Sequence, residues 1–360
     1  MNINEQFPII NSYTYLNTAN SGTISQSVLD WRRAHDTGYL NNGSVFRNNQ
    51  LPVLQELKRT LARFFHAKQE NIYLVPNYSF GLNVFLDGLS GEHRFLLLEG
   101  DYPTSGHSVR SRGFSAAYAA IDEHLEDNIL KQIKTFNPTV FVLSIVQYTS
   151  GIKIDPEFLK ELKKTYPDLL IVADGMQFCG TEDFDFEQSG LDVLICGGYK
   201  WLLAGYGNGF ICMKDTVKEQ LYTEARTRPL PAESFTKHRN HISYCFEAGN
   251  VDTLAFGTLL QALLYLEELG HEFISSRIIQ LSRKAKQAFT ERGLLEQAVV
   301  LRKEDSPIFN LQVDETMLEK FEAARIIASP KGKGIRVSFH FFNTEEDIDL
   351  LLKVIDANRS

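Results

Sequence analysis

The sequence holds only four cysteines in 360 residues, Cys179, Cys196, Cys212 and Cys245, and none stands at a metal-ligand spacing such as Cys-x-x-Cys. That excludes a zinc ribbon and argues against a disulfide framework, which fits a reducing compartment. Three of the four lie in or beside apolar runs, as small core residues do. No apolar run approaches the length needed to cross a bilayer. The opening stretch, Met1 to Gly22, has neither a basic start nor a continuous apolar segment of the kind that directs export. Basic charge is not in excess either. A net charge of -8 with interspersed signs leaves no basic stripe for nucleic acid. No internal repeat is visible, and low complexity is confined to the loop Ser329-Pro330-Lys331-Gly332-Lys333-Gly334. The expectation is a soluble cytoplasmic protein, long for one core and sufficient for two domains.

What is present is an alternation. An amphipathic stretch at about 51–66 carries Leu51, Leu54, Leu57, Leu61 and Phe64/Phe65 on one face and predicts a helix. Short apolar runs follow near 72–75, 94–98, 139–145, 169–173, 193–196 and 209–213, separated by helical stretches. This is the pattern of an α/β fold with a mostly parallel sheet. A helix is expected from Thr253 to Leu269, stopped by Gly270. It is apolar on more than one face, so it packs inside the protein or against a partner subunit. From about 271 the pattern becomes helix, then strands (VVLR, IFNLQV, RIIAS, GIRVSFH), then a helix opened by Asn343-Thr344. That reads as a smaller α+β domain. The expected division is an N-terminal segment at 1–20, a large domain at 21–265 and a small C-terminal domain at 266–360.

Two residues stand where apolar strands stop. Asp174 closes Leu169-Leu170-Ile171-Val172-Ala173, and Lys200 follows Val193-Leu194-Ile195-Cys196 after Gly197-Gly198-Tyr199. In parallel sheets, the crevice at the carboxyl ends of the strands is where ligands bind. A carboxylate and an amine delivered there suit pyridoxal phosphate (PLP). Its aldehyde forms a Schiff base with lysine, and its pyridine nitrogen stays protonated beside a carboxylate. Alone, Asp174 would read as a turn residue and Lys200 as a solvated surface lysine. Its phosphate needs N–H groups at a helix start with a hydroxyl beside them. Pro76-Asn77-Tyr78-Ser79-Phe80-Gly81, between a strand and a helix, is suitably placed. Tyr102 after the 94–98 strand offers an aromatic cover for the ring. Gln177, three residues beyond Asp174, offers a hydrogen bond to the phenolic oxygen.

Taken in order, these segments resemble the class V aminotransferases of the fold-type I PLP enzymes. That group includes cysteine desulfurases, kynureninases and isopenicillin-N-epimerase-like proteins. Tyr15-Leu16-Asn17-Thr18-Ala19 resembles the family's opening strand and substrate-side loop, with Asn20 next in line. Asn77 to Asn83 resembles its phosphate loop and Asp101-Tyr102-Pro103-Thr104 its ring-stacking turn. Ala173-Asp174-Gly175-Met176-Gln177 resembles its Asp-x-x-Gln motif. Gly198-Tyr199-Lys200-Trp201-Leu202 resembles its lysine segment, followed by Gly205-Tyr206-Gly207-Asn208-Gly209. Glu247-Ala248-Gly249-Asn250 resembles the segment that reaches a neighbouring subunit's phosphate. Arg336-Val337-Ser338 with Asn343-Thr344-Glu345-Glu346-Asp347 resembles the C-terminal signature.

The resemblance implies a fold-type I large domain and a smaller C-terminal domain. It implies that Lys200 holds the cofactor and moves the proton at the substrate's Cα, while Asp174 keeps the ring nitrogen protonated. Ser79, the Phe80 N–H, Tyr199 and Asn250 would hold the phosphate. Arg336 would bind the carboxylate of an amino acid substrate, with Asn20 and Tyr148 beside it. A homodimer with shared active sites follows from the role of Asn250. Transamination, lyase and epimerase chemistry all stay open.

The departures matter too. A desulfurase needs a nucleophilic cysteine shortly before the C-terminal arginine, and Ala328 to Gly334 has none. Where the family commonly has histidine, this chain has Tyr102 over the ring and Tyr199 before the lysine, and Asn250 stands for a usual threonine. The stretch Val146-Gln147-Tyr148-Thr149-Ser150-Gly151, with Tyr102 and Tyr199, leans towards a kynureninase-like hydrolase, which is the alternative reading. A non-catalytic or sugar-modifying descendant is disfavoured because Lys200 and Arg336 are both present.

Overall fold

The computed structural model describes residues 2–233, 237 and 239–359. Twelve strands are defined among them: β1 (Thr14–Tyr15), β2 (Ile72–Leu74), β3 (Arg94–Leu98), β4 (Ser115–Ala119), β5 (Val140–Ser144), β6 (Leu170–Asp174), β7 (Val193–Gly197), β8 (Gly209–Met213), β9 (Ile308–Leu311), β10 (Ile326–Ile327), β11 (Ser329–Lys331) and β12 (Gly334–Ser338). Seven of them form the central sheet in the order β2-β8-β7-β6-β5-β3-β4. β8 runs antiparallel to both neighbours, and the other pairs are parallel. β5 to β8 are buried along their whole length, as strands covered on both faces must be.

The helix Thr253–Leu269 matches its expected bounds. Asp252 Oδ1 caps it by accepting from the N–H groups of Leu254 and Ala255, and Gly270 ends it at φ 89°. Most of its residues are buried within this chain, where it packs against the helices Leu51–Phe64 and Gln26–Asn48. The C-terminal part holds the helix His271–Glu291, a three-stranded antiparallel sheet in the order β11-β12-β9, and the helix Glu345–Asn358. That last helix starts with a reciprocal cap between Thr344 and Asp347. The N-terminal segment is tied here as well. β1 pairs with β10, and the Ala19 N–H donates to Ser338 Oγ at 3.0 Å.

Some elements differ from expectation. Val299–Leu301, expected as strand, belongs to the short helix Gln297–Leu301. Both flanks are already engaged, Leu294 O by the Gln312 N–H and the Arg302 guanidinium by Glu126 and Lys153 O. Tertiary anchoring overrides β-propensity there. The Arg325–Ser329 run is split at Ala328 between two sheets. β4, an alanine-rich strand, and the helix Gln26–Asn48, polar on average and kinked at Gly43, lacked an apolar signal. Among the described residues, no helix is long and apolar enough to cross a membrane.

Candidate active site

The carboxyl ends of β2, β3, β5, β6 and β7 open onto a cavity of about 620 Å³. β5 sits between β3 and β6, so successive strands diverge to opposite sides at the crevice. Asp174 ends β6, and Lys200 lies three residues beyond the end of β7. Both line the cavity and both are buried. Local bonds fix these strand ends. Asp174 Oδ1 accepts from the Met176 N–H at 2.8 Å, and the Met176 sulfur accepts from the Gly197 N–H at 2.8 Å.

Burial dominates the electrostatics. It pushes the Asp174 carboxyl well up from the ordinary carboxylate range, against the Met176 N–H and the Lys200 charge. It lowers the Lys200 amine, with Asp174 opposing the shift and the cations Arg336 and Lys331 adding to it. No ion pair joins Lys200 to Asp174. The two face a shared space instead, an arrangement in which a polar ring between them would satisfy both.

The other predicted residues divide into two groups. Asn20, Ser79, Tyr102, Tyr148, Gln177 and Tyr199 line the cavity together with Lys200 and Asp174. Ser79 lies in the first turn of the helix Tyr78–Gly88, and its hydroxyl donates to Thr104 Oγ1 at 3.2 Å. Tyr102 is held by Asp101, whose carboxylate accepts from the Tyr102 and Ser144 N–H groups at 2.8 Å each. Three expected residues are not on the wall. The Phe80 N–H is already used, donating to the Asn77 cap at 2.9 Å. Asn250 is exposed and accepts from Arg47. Arg336 is buried behind Tyr148, donating from Nη1 to Tyr148 O at 2.6 Å. Its Nε has no acceptor, and no carboxylate pairs with it among the described residues. Burial lowers its guanidinium to about 10, with Tyr148 and Tyr199 opposing.

Sequence reasoning gave no role to Tyr78, Ser144, Met176 and Tyr206, which also line the cavity. Tyr206 stacks on Tyr199 with centroids 4.9 Å apart, and its hydroxyl donates to Ser21 Oγ at 2.9 Å. The Gly205-Tyr206-Gly207 triplet was the available signal, since glycines at φ +65° and +84° present the tyrosine between them.

The model of the family described as aminotransferase class-V matches residues 14–326. The uncharacterized aminotransferase YcbU of Bacillus subtilis is 22% identical, over 95% of this chain and 93% of its own length. Isopenicillin N epimerase of Streptomyces clavuligerus is also 22% identical, over 95% of this chain and 94% of its own. Among solved structures, a C-DES mutant with glycine covalently linked to its PLP cofactor superposes with a TM-score of 0.86 at 18% identity, covering 99% of this chain and 100% of that one. Fold, strand-end residues and family match agree: the chain belongs to the class V aminotransferases, a family of PLP-dependent enzymes.

Proposed function

We propose that this enzyme acts at the Cα of an amino acid whose carboxylate is bound by Arg336. The observation that carries the reading is a buried guanidinium with an unused Nε and no acidic partner, set behind the wall that holds Lys200. A buried cation left in this state is costly unless an anion completes it. A planar guanidinium suits a carboxylate through two parallel bonds.

The residues present fit PLP. Asp174, buried and without a cation in contact, would hold the ring nitrogen, and the Gln177 amide would meet the phenolic oxygen. The Tyr102 ring would cover one face, and Ser79 at the helix start would meet the phosphate. When bound, PLP supplies an aldehyde for the amine and a ring that accepts electrons from Cα. Lys200 would hold the group, and its amine would serve as the base that takes the proton from Cα. Its lowered pKa keeps a larger neutral fraction available for that step. Arg336 and Tyr148 orient the substrate so that the Cα proton faces Nζ.

Which bond is cleaved or formed after proton removal, by transamination, lyase or epimerase chemistry, is carried by no single residue here. Desulfurase chemistry is disfavoured. Residues 328–334 hold no cysteine, and Cys179, Cys196 and Cys212 are buried, with Cys245 half-buried on the helix His241–Phe246. The test is an amino-acid panel scored by absorbance change of the holoenzyme, with products identified by mass spectrometry. Arg336→Lys should raise the concentration needed by roughly tenfold or more, for a charge-assisted bond. An unchanged response removes Arg336 from this role.

A homodimer is part of the proposal. Asn250 is exposed outside its own chain's cavity and bonded to Arg47. Near Arg47, the helix Gln26–Asn48 exposes Tyr39, Leu40 and Val45, and Leu40 is 84% accessible. A second copy would cover this patch and bring Asn250 to its partner's phosphate. Light scattering should give a dimer; a fully active monomer contradicts it.

A further inference from the structure

The antiparallel pairing of β11, β12 and β9 arranges a row of side chains. Ser329 stands opposite Arg336, Lys331 opposite Gly334, and Asn310 opposite Arg336. Opposed residues, and residues two apart along a strand, share one face. Lys331, Ser329, Arg336, Asn310 and Ser338 therefore lie on the same face. That face is turned to residues 17–19 and to Tyr148, and of these Tyr148 lines the cavity. Ser329 Oγ donates to Asn17 Oδ1 at 2.7 Å, Ser338 Oγ accepts from the Ala19 N–H, and Arg336 donates to Tyr148 O.

Lys331 carries the face to its outer end, beside the Tyr148–Thr149 loop. A Cβ at neighbouring Gly332 would lie 3.3 Å from Thr149 Cγ2. The hairpin tip is held in place. Asn310 Nδ2 donates to Lys331 O at 3.0 Å, and Gly332 at φ +55° makes the two-residue turn. Neither Lys331 nor Arg336 meets an acid among the described residues, and Asp174 is the acidic side chain on the cavity wall. Lys331 is not itself on the cavity wall, but its hairpin abuts the loop that carries Tyr148, and its charge adds the smallest share to the lowering of the Lys200 amine. One cation suffices for an α-carboxylate. The second is left over.

We propose that Lys331 is a specificity-determining residue that binds a carboxylate on the substrate side chain, so that the substrate class is the acidic amino acids. The inference rests on the Arg336 reading. A lysine suits the outer position because its long flexible stem can follow side chains of different length.

The experiment titrates PLP-loaded enzyme with L-aspartate against L-asparagine, and with L-glutamate against L-glutamine, scored by absorbance. Each pair differs in charge and little in shape. At least one acid should respond at a concentration about tenfold or more below its amide, with the gap shrinking as salt rises. Lys331→Gln should erase the gap while leaving the amide response in place, and Lys331→Arg should restore it. Circular dichroism of each variant checks the fold. Amides that respond as well as acids, or an undiminished gap in Lys331→Gln, overturn the role of Lys331 and leave the Arg336 reading intact. If these four leave the spectrum unchanged while another amino acid of the panel perturbs it, the role of Lys331 fails alone; if no amino acid of the whole panel perturbs it, the Arg336 reading fails and this inference falls with it.

Discussion

The indole N–H of Trp201 donates to Gln177 Oε1 at 2.8 Å, and Gln177 Nε2 in turn donates to Ala19 O at 2.8 Å. An indole can only donate and a carbonyl can only accept, so the two bonds fix the amide's orientation. Gln177 lines the cavity, and Nε2 keeps one hydrogen for an acceptor there. The substrate-side loop, the lysine segment and the Asp-x-x-Gln segment are thereby linked.

Gln177→Leu should lose about 1–3 kcal/mol of stability, because the buried Trp201 N–H is left without an acceptor. Urea unfolding reads the change. Wild-type stability in this variant would mean that the indole finds another partner.

Asp174→Asn should keep the fold and still bind PLP, with turnover down on the order of 10²–10³-fold, the scale of losing one preorganised electrostatic partner. The amide cannot hold a proton on the ring nitrogen. Near-normal turnover with full cofactor loading counts against the role given to Asp174.

His340 is fully buried, and burial lowers it from 6.5 to about 4. Its Nδ1 accepts from the Phe341 N–H at 2.8 Å and its Nε2 faces Trp201 O at 3.0 Å, so the neutral ring uses both nitrogens. A proton on Nδ1 would break the Phe341 bond. Between pH 6.5 and 4 the unfolded chain takes up a proton that the native chain refuses, so stability falls as pH falls. At pH 4.5 the loss reaches about 2–3 kcal/mol for this one group. His340→Gln should flatten that part of the pH–stability curve. An unaltered slope assigns the acid sensitivity elsewhere.

The central sheet was legible because β5 to β8 are buried on both faces and so read as continuous apolar runs. β4 was not, because Ser115-Ala116-Ala117-Tyr118-Ala119 has little apolar bulk and lies at the sheet edge. The place of Asp174, Lys200, Gln177, Tyr102 and Ser79 on the cavity wall was legible because each follows a strand end, where the topology gathers residues. Tyr206 and Asp101 were missed in role. One acts through a ring stack and the other through backbone N–H groups of two separate segments, and neither contact has a sequence spacing. The sequence offers Arg336 as the ligand of a substrate carboxylate but not its depth, and the structure sets it behind Tyr148, off the cavity wall. Its depth depends on the pairing of β11, β12 and β9, which sequence periodicity does not determine.

The central claim is that Lys200 is the lysine that holds PLP. Borohydride reduction of the yellow holoenzyme, followed by peptide mapping, tests it most directly. The account predicts one modified residue, Lys200, and no fixed label in Lys200→Ala. A label on another lysine, or a reducible bond that persists in Lys200→Ala, would contradict it.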